Sequence, residues 1–110
     1  MTFREYQELA ARTQNPNLTP REQREHALCG LCAEVGEIHS IHQKAYQGHP
    51  ISIPSLRKEI GDVLWFIGEL CDVYNFDMGM IAEENIIKLQ KRYPMGFEAD
   101  KSLHRAEGDV

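Results

Sequence analysis

The chain has 110 residues, 42% of them hydrophobic and 26% charged, with a formal net charge of −5 at pH 7. That length suits one domain with a modest core and leaves no room for a separate substrate domain. The acidic balance argues against nucleic acid as a bulk electrostatic partner, and no apolar run approaches the roughly 20 residues that cross a membrane.

Thr2-Phe3-Arg4-Glu5 reads as a capping box, with Thr2 as N-cap, and opens a first helix that runs to about Arg12. Asn15-Pro16-Asn17 breaks it. Thr19-Pro20-Arg21-Glu22 is a second box with Pro at its favoured position, and starts a long helix to about Tyr46. Leu28, Leu31, Val35, Ile38 and Ala45 recur along it at helical spacing and predict a core stripe. Residues 47–54 read as a loop, marked by Gly48, Pro50 and Pro54. Ser55 is expected to cap a third helix through about Tyr74, with Leu56, Ile60, Val63, Leu64, Ile67 and Leu70 on its apolar face. Asn75-Phe76 leads to a fourth helix, capped by Asp77 and stopped by Pro94. The polar tail, 98–110, is expected to be mobile or ordered only by docking. The fold class is all-α, with four helices. The N-terminal residues lack the apolar run of a signal peptide, and Cys29, Cys32 and Cys71 make no disulfide framework, so a cytoplasmic location is expected.

Four carboxylates carry the chemistry. Glu34 and Glu37 lie in Ala33-Glu34-Val35-Gly36-Glu37-Ile38, and Glu59 and Asp62 in Glu59-Ile60-Gly61-Asp62-Val63-Leu64-Trp65. Residues three apart on a helix lie on one face, so each pair can point at a common spot. Two such helices packed together gather four anionic groups, which repel one another unless a hard divalent cation neutralises them. Both pairs share one form, an acid, a spacer, Gly and an acid, and both sit in apolar stretches rather than on a solvated face. Gly36 and Gly61 each cost roughly 1 kcal/mol inside a helix relative to Ala. They make sense where a neighbouring helix or a ligand comes close. The pattern points to Mg²⁺, with Mn²⁺ as a possible substitute, and to a phosphorylated substrate.

These residues resemble the MazG-like, all-α nucleoside triphosphate pyrophosphohydrolases, whose signature is Glu-x-x-Glu, a spacer and Glu-x-x-Asp. The stretch from Asn85-Ile86-Ile87-Lys88 through Lys91-Arg92-Tyr93-Pro94 to Gly96-Phe97 is close to the family's wording, and Ser102 and Arg105 fall in matching places. The resemblance implies a MazG-like domain over 1–97 followed by the tail. It implies hydrolysis of a nucleoside triphosphate between the α and β phosphorus atoms, with Glu34, Glu37, Glu59 and Asp62 as metal ligands. One of these, Glu37 or Glu34, would orient or deprotonate the attacking water. Many relatives carry a further Glu where this chain has Ala33, so either a motif carboxylate or metal-bound hydroxide supplies the base, or activity is reduced. The resemblance also implies that Asn85 and Lys88, with Arg92 and Lys44 assisting, contact the triphosphate. Phe66, four residues after Asp62, is expected on the metal side, against a base or sugar.

Cys29-Gly30-Leu31-Cys32 lies inside a helix and lacks the setting of a zinc site, so its thiols are expected to be buried. A domain this small is expected to complete its core by dimerisation, and the resemblance implies dimers or dimers of dimers. Two other readings fit parts of the pattern: a phosphoribosyl-ATP pyrophosphohydrolase, which shares the superfamily, and a non-catalytic helical interaction module.

Overall fold

The computed structural model describes residues 1–110 and contains five helices and no strand: α1 (Phe3–Ala11), α2 (Pro20–Tyr46), α3 (Ile53–Val73), α4 (Met78–Arg92) and α5 (Ala99–Leu103). The capping boxes form as the sequence predicts. Thr2 and Thr19 accept from the N–H groups of Glu5 and Glu22 at 3.1 and 3.2 Å, and each glutamate accepts in return from its cap's own N–H at 3.0 Å. Asp77 caps α4, accepting from Gly79 and Met80 at 2.8 and 3.2 Å, and also pairs with Arg4 of α1. The third helix departs from expectation. Its cap is Ser52, which accepts from the Ser55 N–H at 3.3 Å, and Pro54 sits within the first turn. A first-turn N–H has no partner inside the helix, so its absence in Pro is harmless there. Within the tail a short helix, α5, forms, an element not among the four expected.

Helices α2 and α3 make an antiparallel hairpin. Going down α2 from Glu34 through Gly30 to His26, the α3 partners run upward from Glu59 and Asp62 through Phe66 to Glu69. Helix α1 lies along α3, fastened by amides that converge on Asp72. Gln7 and Gln14 donate to its two oxygens at 2.6 and 2.5 Å, Gln23 donates to Gln14 at 2.8 Å, and the Met78 N–H donates to Gln7 at 2.8 Å. The Trp65 indole N–H donates to Thr13 at 2.9 Å, tying the turn after α1 to the middle of α3. Helix α4 meets α1 but has little contact with α2. The turn between α3 and α4 passes through Asn75 at φ 57°, a left-handed conformation that Asn tolerates.

The protomer is open. Only five residues are buried, among them Ala27, Cys71 and Met78. Its radius of gyration is 17.3 Å, against about 13 Å for a compact domain of this length. Its accessible surface is 8454 Å², against about 6,200 Å² for a compact monomer of this mass. The predicted core stripes account for part of the excess: Leu28 is 47% exposed and Ile60 54%, with Val35 and Ile67 also exposed. Each of the two long helices is apolar over more surface than its partner covers.

Candidate metal centre

Glu34 of α2 meets Glu59 and Asp62 of α3, and one carboxylate oxygen from each lies within 4.8 Å of the other two. The geometry follows from helical pitch. Glu59 and Asp62 are three apart on α3 and straddle the level at which Glu34 arrives from α2. Burial pushes the Glu34 carboxyl above its ordinary range. A hydrogen-bonding contact with Glu59 adds to this, as do the charges of Asp62, Glu59 and Glu37. Burial likewise pushes the Tyr6 phenol up, and Asp62 adds to it, which places α1 near the same anionic spot. A half-buried carboxyl held beside two others is electrostatically unfavourable in the free chain. Three oxygen donors converging from two helices suit a hard divalent cation.

The fourth acid stands apart. Glu37 is exposed and lies outside the triad, although its charge still contributes to raising Glu34. Both acids of the α3 pair reach Glu34, whereas Glu37, about one turn further along α2, is not drawn into the group.

One turn from the triad the two helices touch closely. The Phe66 ring lies on Gly30, so close that a Cβ added there would sit 2.1 Å from Cε1. The ring packs edge-on to Trp65, with centroids 5.0 Å apart, and tilted to His26 at 5.6 Å. Phe66 therefore walls the cluster on one side by filling the α2/α3 seam, a packing role that its spacing from Asp62 did not reveal. A turn further on, Glu69 is 1% exposed; one oxygen lies 2.6 Å from His26 Nδ1 and the other has no partner. Gly30 is the helix-contact glycine that the sequence did not single out. Its signal was an interior helical Gly, obscured by the CxxC spacing around it. Gly36 and Gly61, expected to mark a close approach, have no other helix within 4 Å of the place a Cβ would occupy.

The remaining candidates are spread over other surfaces. Lys44 is in the last turn of α2, exposed and without an ion pair. Lys88 and Arg92 line a cleft of about 700 Å³ between α4 and the tail, together with Arg105; Asn85 is exposed on α4 and does not line it. Arg92 is occupied by Asp109, its guanidinium donating to both carboxylate oxygens at 2.8 and 2.6 Å. No sequence signal marked Asp109. Cys29 and Cys32 are exposed, contrary to expectation, because they point away from the face that α3 covers; Cys71 is buried. His39 and His42 are exposed and belong to no cluster of metal-ligating groups. No helix is long and apolar enough to cross a membrane.

A family model described as the MazG nucleotide pyrophosphohydrolase domain matches residues 22–97, more than half of the chain and a span that includes both acid pairs. No curated protein and no solved structure gives a significant match.

Proposed function

The chain belongs to the MazG nucleotide pyrophosphohydrolase family, and we propose that it hydrolyses a nucleoside triphosphate between the α and β phosphorus atoms, releasing a nucleoside monophosphate and pyrophosphate with Mg²⁺ as its cofactor. The observation that carries this reading is the convergence of Glu34, Glu59 and Asp62 from two helices. These three would hold the cation, and Mn²⁺ would substitute. A bound Mg²⁺ supplies neutralisation of phosphate charge and acidifies a water.

The chain's own residues divide the remaining work. Glu37 stands beside the triad without being drawn into it, so it is the carboxylate left to orient and deprotonate the attacking water where Ala33 provides no acid. Phe66 and Trp65 close one flank of the cluster with apolar surface, which strengthens charge interactions there by excluding water. Lys88 and Arg92 on α4, with Lys44 and Asn85, lie on surfaces of the protomer apart from the triad; they are proposed to contact phosphate oxygens that the metal leaves free once assembly brings them beside it.

The reading includes a homodimer, or a dimer of dimers. Surface in excess of a compact monomer amounts to roughly 2,000 Å² per chain by the comparison above. Obligate homodimers bury in the range of 2,000–5,000 Å² over both partners. The exposed Leu28, Val35, Ile60 and Ile67 on the hairpin are the apolar surface such an interface would cover.

The deciding assay is a panel of ribo- and deoxyribonucleoside triphosphates with Mg²⁺, separating pyrophosphate from phosphate. Equimolar monophosphate and pyrophosphate is the expected outcome. Phosphate and diphosphate as products, or no turnover with any member of the panel, would overturn the reading. Glu37→Gln should lower kcat by at least about 100-fold if it handles the water's proton, while the metal still raises the melting temperature.

A further inference from the structure

The cleft between α4 and the tail runs against the charge balance of the rest of the chain. The net charge is −5, yet Lys88, Lys91 and Arg92 of α4 face Lys101, His104 and Arg105 of the tail across it. Three carboxylates line the same cleft, and of these Glu84 and Glu107 make no ion pair, whereas Asp109 is bound by Arg92. The contact is two-pronged: Arg92 Nε and Nη2 donate to separate Asp109 oxygens at 2.8 and 2.6 Å, and Nη2 lies 3.4 Å from a main-chain oxygen of Val110. The Arg92 side chain is 9% exposed and that of Asp109 16%. The hydrogen bonds from Arg92, with the charges of Arg92, Arg105 and Lys88, hold the Asp109 carboxyl below its usual range.

We propose that this cleft is an anion site that Asp109 fills in the substrate-free chain, and that the polyphosphate of a nucleotide displaces Asp109 from Arg92 when it binds. The proposal rests on the reading of Lys88 and Arg92 as phosphate contacts and adds an internal competitor to it. A guanidinium fork that holds a carboxylate through two parallel N–H donors has the geometry that also holds two phosphate oxygens. The exchange is favoured by charge. A carboxylate brings one negative charge and two oxygens, both already spent on Arg92. A phosphoryl chain brings more charge and more oxygens, enough to satisfy Arg92 and also to engage Lys88 and Arg105, neither of which has an ion-pair partner. Asp109 is on a segment that leaves α4 at Tyr93 and returns through the short α5, so it can withdraw without unfolding the α2/α3 hairpin. While Asp109 occupies Arg92, the apparent affinity for any other anion falls by the fraction of chains in which the site is free.

The test is titration calorimetry of inorganic tripolyphosphate into the full chain at low salt without divalent metal, so that neither turnover nor the acidic triad contributes. Asp109→Asn should bind at least about fivefold more tightly than the wild type, as expected if Asp109 closes the site in about four chains of five. Asp109→Ala should show the same gain, Glu107→Gln less than a twofold change, and Arg92→Ala should weaken binding. Unchanged or weaker binding by both Asp109 variants overturns the proposal. So does an equal gain in Glu107→Gln, which would reduce the effect to bulk charge. The KM for the preferred nucleotide should fall in the same ratio in Asp109→Asn. If tripolyphosphate gains while KM stays put, the displacing anion is not the substrate and that half of the proposal fails. A chain that hydrolyses no nucleotide yet shows the tripolyphosphate gain refutes the proposed function and leaves the anion site standing.

Discussion

Replacing Gly30 by Ala tests whether the α2/α3 seam sets the geometry of the acidic triad. The new Cβ would lie 2.1 Å from Phe66 Cε1, 2.3 Å from Cδ1 and 2.4 Å from Cζ. Ordinary carbon contacts are about 3.5–4.0 Å, so the ring or the helix must retreat by more than about 1 Å. The ring cannot turn aside freely, because Trp65 and His26 pack against it. Overpacking of this kind costs about 1–3 kcal/mol, and the overlap with three ring atoms argues for the upper half of that range. Ala in place of Gly inside a helix returns about 1 kcal/mol. The net expectation is a loss of about 1–2 kcal/mol, which for a domain of this size lowers Tm by roughly 5–12 °C. Glu34 and Asp62 lie one turn from Gly30 and Phe66, so opening the seam also parts the triad. Thermal melts of Gly30→Ala with and without Mg²⁺ should therefore show both a lower Tm and a smaller rise with metal. Gly30→Ala combined with Phe66→Leu should recover much of the loss, the non-additivity reporting the contact. A Gly30→Ala chain that melts within about 1 °C of wild type and keeps its full metal response would refute the reasoning.

Other expectations follow from the same geometry. Mg²⁺ at about 100 times its dissociation constant should stabilise the chain by about 2.7 kcal/mol, and Glu59→Gln or Asp62→Asn should abolish that response in the same thermal assay. Glu34→Gln should raise the Tm of the metal-free chain while removing its response to metal. The sign follows from burial and neighbouring carboxyls raising Glu34 in the folded state: its contribution is most favourable below its unfolded pKa of 4.5 and is lost as pH rises through the folded value. A lower metal-free Tm for Glu34→Gln at neutral pH would contradict this. Light scattering at micromolar concentration should give at least a dimer mass, and Leu28→Asp or Ile60→Asp should shift it towards the monomer; a wild-type monomer would rule out the assembly.

The parts of this fold that were legible in the sequence are those written locally. Capping boxes depend on residues three apart, and both formed as read; so did the Asp77 cap and the helix stop at Pro94. The acid pairs were legible for the same reason, since helical spacing alone puts Glu59 and Asp62 on one face. What failed depends on the neighbour. Whether Glu37 joins Glu34 is settled by the path of α3 across α2, which no spacing on α2 encodes. Cys29 and Cys32 were expected to be buried because they lie inside a helix without the setting of a zinc site, but α3 covers another face. Gly36 and Gly61 looked like contact glycines and face open space in the protomer, while Gly30, set between two cysteines, is the one that touches. Ser52 was passed over as the α3 cap because Pro54 reads as loop, although Pro in a first turn is common. Asp109 binds Arg92 across 17 residues, and nothing periodic connects the two.

The seam between α2 and α3 sets stability against function within a few turns. At Gly30 the absence of a side chain lets Phe66 in and draws the helices together, which stabilises the hairpin through packing. That same approach brings Glu34 against Glu59 and Asp62, which destabilises the metal-free hairpin through repulsion and desolvation. The cation proposed for the triad would reverse the sign of the second effect and leave the first unchanged. Its binding energy would therefore reinforce the helix contact, and the contact in turn holds the three carboxylates together without a metal. This is why stability of the metal-free chain and affinity for the metal should move in opposite directions when Glu34 is neutralised, but fall together when the Gly30 contact is broken. A site held together by general packing would show only the second behaviour, and a site of solvated surface acids would show neither.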